Sequence, residues 1–204
     1  MSKIGLFFGT FDPIHIGHLQ LANYFAEETD LDSVWLVITP QNPFKKDLKI
    51  LANSERMQII SRAIKNCPKL KVSSVEFKLP KPNYTFNTLI ELKKKYLEHT
   101  FVIVLGADNM IHFDKWKASD KILENFELYI YPRKIIKAIP NLFLKHPKIK
   151  WADAPIIEIS SSQIRKGIRQ AKDMSIFIPK ESWEYIEQKK FYEAEFELNK
   201  LIQS

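Results

Sequence analysis

Short apolar runs alternate with amphipathic stretches along most of the chain. Residues 4–8, 34–38, 101–105 and 128–131 are almost wholly apolar, the pattern of strands buried on both faces. Residues 70–75 and 156–159 predict two further strands. Between these runs apolar residues recur at helical spacing, as in Leu19, Leu21, Ala22, Phe25 and Ala26. Met57, Ile60, Ala63 and Ile64 predict a helix over 55–66, with Asn53 or Ser54 as its cap. Phe86, Leu89, Ile90, Leu92 and Leu97 predict another over 85–97, with Lys93, Lys94 and Lys95 on its wet side. Phe113 and Trp116 fall in a short, partly helical stretch. Two prolines, Pro140 and Pro147, make 134–150 read as irregular. Serines then open a helix over 160–170, and 181–188 and 192–202 are helical by pattern.

Strand, helix, strand within some forty residues is a βαβ unit with a right-handed crossover. Repeated along the chain, the alternation predicts an α/β fold: a doubly wound, mostly parallel sheet with helices on both faces and a C-terminal helical segment. Ligands of such sheets sit beyond the carboxyl ends of the strands. The residues there are Gly9 to His18, Thr39 to Lys46, Gly106 to Asp108, Arg133, and Ser160 to Arg165.

Composition narrows the partners. The 204 residues suit one domain, and 45% hydrophobic and 12% aromatic content supply a core. The net charge of +7 fits an anionic partner or a solvated lysine-rich surface. The aromatics fall mainly at core spacing rather than interleaved with a basic patch, which argues against nucleic acid. No apolar run is long enough for a signal peptide or a membrane span, so a cytoplasmic protein is expected. One cysteine, Cys67, allows no intramolecular disulfide and is expected to be a buried thiol.

The chemistry concentrates in two stretches. In IGLFFGTFDPIHIGH a strand turns at Gly9, passes Thr10, Phe11 and Asp12, and delivers His15 and His18 into a helix around Gly17. A helix N-terminus binds anions, and two imidazoles there are suited to phosphate oxygens. The alternatives are two capping or core histidines, or a metal pair completed by Asp12. In ISSSQIR a strand end feeds Ser160, Ser161 and Ser162 into a helix, with Arg165 one turn on. That is either a second phosphate site or a serine-capped helix with a surface arginine. There is no G-x-x-x-x-G-K-[ST] loop, no G-x-G-x-x-G after the first strand, and no evident nucleophile with its base. Nucleotidyl transfer needs no protein nucleophile, only positioning and charge neutralisation.

GTFDPIHIGH resembles the (H/T)xGH signature of the nucleotidylyltransferase superfamily. ISSSQIR resembles its second signature, ISxTxIR, with Ser162 in place of threonine. GADN, the pair Phe113 and Trp116, and Pro132-Arg133 are similar to the bacterial nicotinate-nucleotide adenylyltransferase branch. The resemblance implies a single Rossmann-like nucleotidylyltransferase domain, with 1–159 as core and 160–204 as phosphate-binding helix and C-terminal helices. It implies transfer of AMP from ATP to nicotinate mononucleotide, releasing pyrophosphate, with Mg²⁺ bound through the ATP phosphates and no metal held by the protein. It implies His18, His15 and Arg165 as catalytic residues. ATP would meet Gly9, Thr10, Phe11, His15, Gly17, His18, Gly106, Asp108, Ser160, Ser161, Ser162 and Arg165. The acceptor would meet Lys45, Lys46, Thr85, Trp116, Lys117 and Arg133. Partners would be these two nucleotides, with no nucleic acid and no membrane, and with a homo-oligomer left open. Phosphopantetheine or nicotinamide mononucleotide as acceptor, and a basic nucleic-acid-binding module, are the alternatives.

Overall fold

The computed structural model describes residues 1–41, 50–134 and 139–194. Lys45 and Lys46, and 195–202 of the expected last helix, lie outside the described residues. Six parallel strands form one sheet: β1 (Ser2–Gly9), β2 (Ser33–Ile38), β3 (Leu70–Ser73), β4 (His99–Gly106), β5 (Glu127–Tyr131) and β6 (Ile149–Trp151). Their order is β3-β2-β1-β4-β5-β6, the doubly wound order, with its switch point between β1 and β4. The helices are α1 (Ile16–Glu27), α2 (Asn53–Ala63), α3 (Thr85–Lys95), α4 (Ala107–Met110), α5 (Ser119–Asn125), α6 (Asn141–Leu144), α7 (Ser161–Arg169) and α8 (Lys180–Gln188).

Alternation along the strands builds two cores. Phe7, Leu36, Val104 and Tyr131 face one side with Leu21 and Phe25 of α1, Ile59 and Ile60 of α2, and Ile164 of α7. Leu6, Val37, Ile103 and Ile130 face the other with Leu89 and Leu92 of α3, Met110 of α4 and Ile122 of α5. Both faces are therefore covered, as near-continuous apolar strands require. Helix α8 docks on α2: the buried Ser182 hydroxyl donates to the Ile59 carbonyl at 2.7 Å, and the Tyr185 hydroxyl donates to Glu55 at 2.6 Å.

Five expectations need correction. Residues 156–159 form no strand. The sixth strand is Ile149–Trp151, inside the stretch read as irregular, and pairs Ile149 with Leu128. Pro155 removes a ladder donor just before 156–159, and Ile157 packs over α1 instead. Ala52, not Asn53 or Ser54, occupies the N-cap of α2, because the Asn53 side chain accepts from Arg56. Cys67 is half-buried at the core margin rather than fully enclosed. Nor does the chain turn on Gly9, the last residue of β1: the left-handed residue is Phe11, with φ 46°. A Cβ on Gly9 would lie 2.7 Å from the Phe11 ring, so the glycine makes room for that ring. Left-handed backbone at a bulky residue costs about 1–3 kcal/mol. The ring is 1% exposed and packs edge-on against Phe7 and His18, which offsets the cost.

Candidate active site

Two concave regions share the rim at the switch point. A polar cleft of about 420 Å³ is lined by Gly9, Thr10, Phe11, His15, Gly17 and His18 from the first motif, and by Ser160, Ser161, Ser162 and Arg165 from the second. Asp108 and Arg133 complete it. A narrower cavity of about 150 Å³ adjoins it, lined by Thr85, Gly106, Trp116 and Lys117, with Gly9, Thr10 and Asn109 common to both. Sequence signals 150 residues apart thus meet on one surface. Two residues of the expected groups line different regions. Arg133, read with the acceptor group, lines the histidine cleft, and Gly106, read with the ATP group, lines the narrower cavity.

The histidines are packed, neutral and oriented. His15 is the N-cap of α1, and its backbone N–H donates to His18 Nδ1 at 3.3 Å. An Nδ1 that accepts must be unprotonated, so the proton of the neutral ring sits on Nε2. The two rings stack with centroids 3.7 Å apart. Burial, then the neighbouring Arg133, lowers the His15 pKa to about 4. Burial, His15 and Arg133 hold His18 well below its ordinary value. His15 Nδ1 is buried against the first turn of α1 beside Gly17, where the capping box sets the His15 ring opposite the His18 N–H.

The His15 shift has a stability consequence. An unfolded imidazole titrates near 6.5 and the folded one near 4, so the unfolded chain takes up the proton first as pH falls. This contribution is complete above about 6.5 and is lost progressively toward about 4, amounting to about 3 kcal/mol. In urea denaturation, the stability difference between wild type and His15→Asn should shrink as pH falls through that window. A constant difference contradicts the assignment.

The second motif is fastened to the first. Ser160 caps α7, accepting from the Gln163 N–H while Gln163 Oε1 accepts from the Ser160 N–H at 2.8 Å. The Ser161 hydroxyl donates to the Pro13 carbonyl at 2.9 Å, and Arg165 Nη1 donates to the Asp12 carbonyl. Arg165 Nη2 donates to Ser162 Oγ at 3.2 Å. Ser160 and Ser161 are therefore structural through their hydroxyls, and what they offer an anion is the first-turn N–H groups of α7. Arg133 lies over the Tyr131 ring, donates to its hydroxyl at 3.2 Å, and approaches Asp108 at 3.9 Å. Gly106 is needed where Asp108 folds back, since a Cβ there would lie 2.5 Å from Asp108 Oδ1. Two guanidinium groups supply the positive charge of the cleft, and the histidines supply neutral donors.

Sequence reading missed the groups that hold this rim. Arg56 is 0% exposed. Its guanidinium donates to the carbonyls of Leu51, Thr10 and Thr39 and to Asn53 Oδ1. Asp12, 1% exposed, accepts on Oδ1 from the Leu51 N–H at 3.2 Å and from the Tyr192 hydroxyl at 2.8 Å. Tyr192 is 1% exposed, and its phenol is raised by burial and by Asp12. No spacing in the sequence links residue 192 to residue 12. Around the narrower cavity, Glu76, Asn83, Tyr84 and Lys115 join the expected residues. Trp116 is half-buried against Phe113, with ring centroids 5.2 Å apart, and Lys117 lies 4.9 Å from the Tyr84 ring centre.

Residues 6–167 match the family described as cytidylyltransferase-like. A Flavobacterium johnsoniae protein named probable nicotinate-nucleotide adenylyltransferase is 48% identical over 93% of this chain and 98% of its own length. A Flavobacterium psychrophilum protein of the same name is 47% identical over the same shares of each chain. Among solved structures, Plasmodium falciparum nicotinic acid mononucleotide adenylyltransferase complexed with NaAD superposes with a TM-score of 0.78 at 22% identity. That match covers 94% of this chain and 98% of the other, and shows a shared fold.

Proposed function

The chain belongs to the cytidylyltransferase-like family, among its nicotinate-nucleotide adenylyltransferases, and from this premise we propose how its residues divide the work. The reaction transfers AMP from ATP to nicotinate mononucleotide. A phosphate oxygen of the mononucleotide bonds to the α-phosphorus of ATP, the bond from that phosphorus to the bridging oxygen breaks, and pyrophosphate leaves with deamido-NAD as the other product. The observation that carries the assignment of roles is the convergence of His15, His18, Ser162 and Arg165 on one cleft beside a second cavity.

The cleft takes the triphosphate. His18 Nε2 donates to the α-phosphate, where charge crowds as the bond to the acceptor forms. His15 and Thr10 assist at the same end. Arg165 and the free N–H groups of Ser161 and Ser162 hold the β- and γ-phosphates that leave. Gly9, Phe11 and Gly17 shape the wall, and Asp108 accepts from the ribose hydroxyls beside Gly106. Among the described residues no three His, Cys, Asp or Glu side chains gather into a metal cage. The cleft offers one half-exposed carboxylate, Asp108, a donor set that fits Mg²⁺ carried by the phosphates and water. Mg²⁺ bound there would neutralise charge on the triphosphate. Arg133, between the two regions, is suited to the phosphates of either substrate.

The narrower cavity takes the acceptor. The N-terminus of α3, at Thr85, lacks a side-chain cap and is suited to the ring carboxylate, and Trp116 to stacking on the pyridine ring. Lys117 lies at its margin, and Lys45 and Lys46 are candidates for the mononucleotide phosphate. The chain acts as one domain, residues 1–159 forming the core and 160–204 the phosphate helix and C-terminal part. The docking of α8 on α2 supports that reading. No helix among the described residues is long and apolar enough to cross a membrane.

Pyrophosphate release from ATP and Mg²⁺, measured separately with nicotinate mononucleotide, nicotinamide mononucleotide and phosphopantetheine, tests the function. The first is expected to be preferred. Preference for phosphopantetheine overturns the acceptor, and release with none overturns the activity. In the same assay Trp116→Ala should raise the acceptor KM about tenfold and leave the ATP KM unchanged. An unchanged acceptor KM returns Trp116 to the core.

A further inference from the structure

One buried acid on the wall of the acceptor cavity has no part in the roles above. Glu76 sits on a single helical turn, Val75–Lys78, just after β3, and is 2% exposed. Its Oε1 accepts from the Thr88 hydroxyl at 2.6 Å. Its Oε2 is buried and, among the described residues, has no hydrogen-bond partner in good geometry, although the Thr39 hydroxyl faces the carboxyl group. The position is fixed: the Glu76 carbonyl accepts from Asn83 Nδ2 at 3.1 Å, and Asn83 exchanges backbone and side-chain bonds with Gln41. Glu76 lines the same cavity as Thr85 and Trp116.

The surroundings decide its charge. From α3 the facing group is the Thr88 hydroxyl, and from the end of β2 the Thr39 hydroxyl; neither is charged. Among the described residues, the charged groups on the cavity wall are Lys115 and Lys117, with the phenols of Tyr84 and Tyr131, and none of them pairs with Glu76. Among the described residues no cation pairs with this carboxyl group, and burial of that kind favours its neutral form. Burial raises its pKa, opposed by the two hydroxyls.

We propose that Glu76 is a specificity residue for the acceptor: its Oε2, unpartnered among the described residues on the wall of the cavity, donates a hydrogen bond to the ring carboxylate of nicotinate mononucleotide, favouring the acid over the amide. This rests on the reading that the narrower cavity holds the acceptor ring. A bond from a neutral acid to a carboxylate is charge-assisted and strong. An ionised Glu76 would repel the ring carboxylate and accept instead from the amino group of a carboxamide, reversing the preference.

The test is the ratio of kcat/KM for nicotinate over nicotinamide mononucleotide, followed across pH from the acidic to the alkaline side of neutrality. Titration of the shared phosphate, of the histidines and of ATP cancels in this ratio. In wild type the ratio should fall about tenfold as pH rises. Glu76→Gln keeps a donor without a titrating proton, so its ratio should stay flat. Thr88→Val removes a hydroxyl that favours the charged form, so the fall should move to higher pH. A flat wild-type ratio, or a Glu76→Gln ratio that falls in parallel with wild type, overturns the proposal while leaving the acceptor assignment standing. Absence of turnover with both mononucleotides removes the acceptor reading itself, and this proposal with it.

Discussion

Replacing His18 by alanine is expected to lower kcat for adenylyl transfer by about 100- to 1,000-fold, the usual cost of one preorganised donor at a centre of developing charge. The expectation follows from how the ring is held. Its Nδ1 accepts from the His15 N–H, which leaves Nε2 as the donor. Burial beside His15 and Arg133 keeps the ring neutral, so it does not need to lose a proton or be desolvated when ATP arrives. Stacking on His15 and edge contacts with Phe7 and Phe11 fix its direction. The variant should melt close to wild type, because the ring removed lines a cleft and its one lost backbone partner, the part-buried His15 N–H, is worth about 1 kcal/mol. Steady-state kinetics with a thermal melt on the same preparation checks both halves. Retained kcat removes His18 from the mechanism, and a collapsed melt makes its role structural.

Arg56→Met should be the most destabilising of the substitutions considered, by about 3–5 kcal/mol, as is usual when one member of a buried charged network is lost. One guanidinium satisfies three carbonyls and the Asn53 side chain, among them Thr10 on the phosphate loop and Thr39 at the end of β2. Methionine fills much of the volume but leaves those acceptors without a partner, and the buried Asp12 loses one of its nearby positive charges while keeping Arg165 at 3.8 Å. Denaturant unfolding measures the loss. The surviving folded fraction should show a raised ATP KM, since the loop carrying Thr10 loses its anchor. A change below about 1 kcal/mol would mean that water replaces the arginine.

How much of this was legible in the sequence depends on range. The sheet was, because both of its faces are covered and its strands are nearly continuous apolar runs. The short sixth strand was not: three residues beside Pro147 carry little pattern, and the apolar 156–159 looked more like a strand than it is. The two motifs proposed to hold phosphate stood out in the sequence because helix N-termini, imidazoles and a guanidinium are a local signature. The sequence could not reveal that Ser160 and Ser161 spend their hydroxyls on the scaffold, or that Arg133 belongs beside the histidines. The supporting hydrogen bonds, Arg56 to Thr10, Tyr192 to Asp12 and Thr88 to Glu76, join elements through tertiary packing. A buried arginine and a buried glutamate look, in sequence, like solvated charges on amphipathic segments. Only their burial identifies them.

The central claim is that the cleft holds the α-phosphate of ATP for attack by a nucleotide phosphate. It is tested most directly by tracing the phosphorus. With ATP labelled at the α-phosphate and nicotinate mononucleotide as acceptor, the label should appear in the dinucleotide, in amounts equal to the pyrophosphate released. Label recovered as free AMP, or left in ATP while the acceptor is present, would contradict the account.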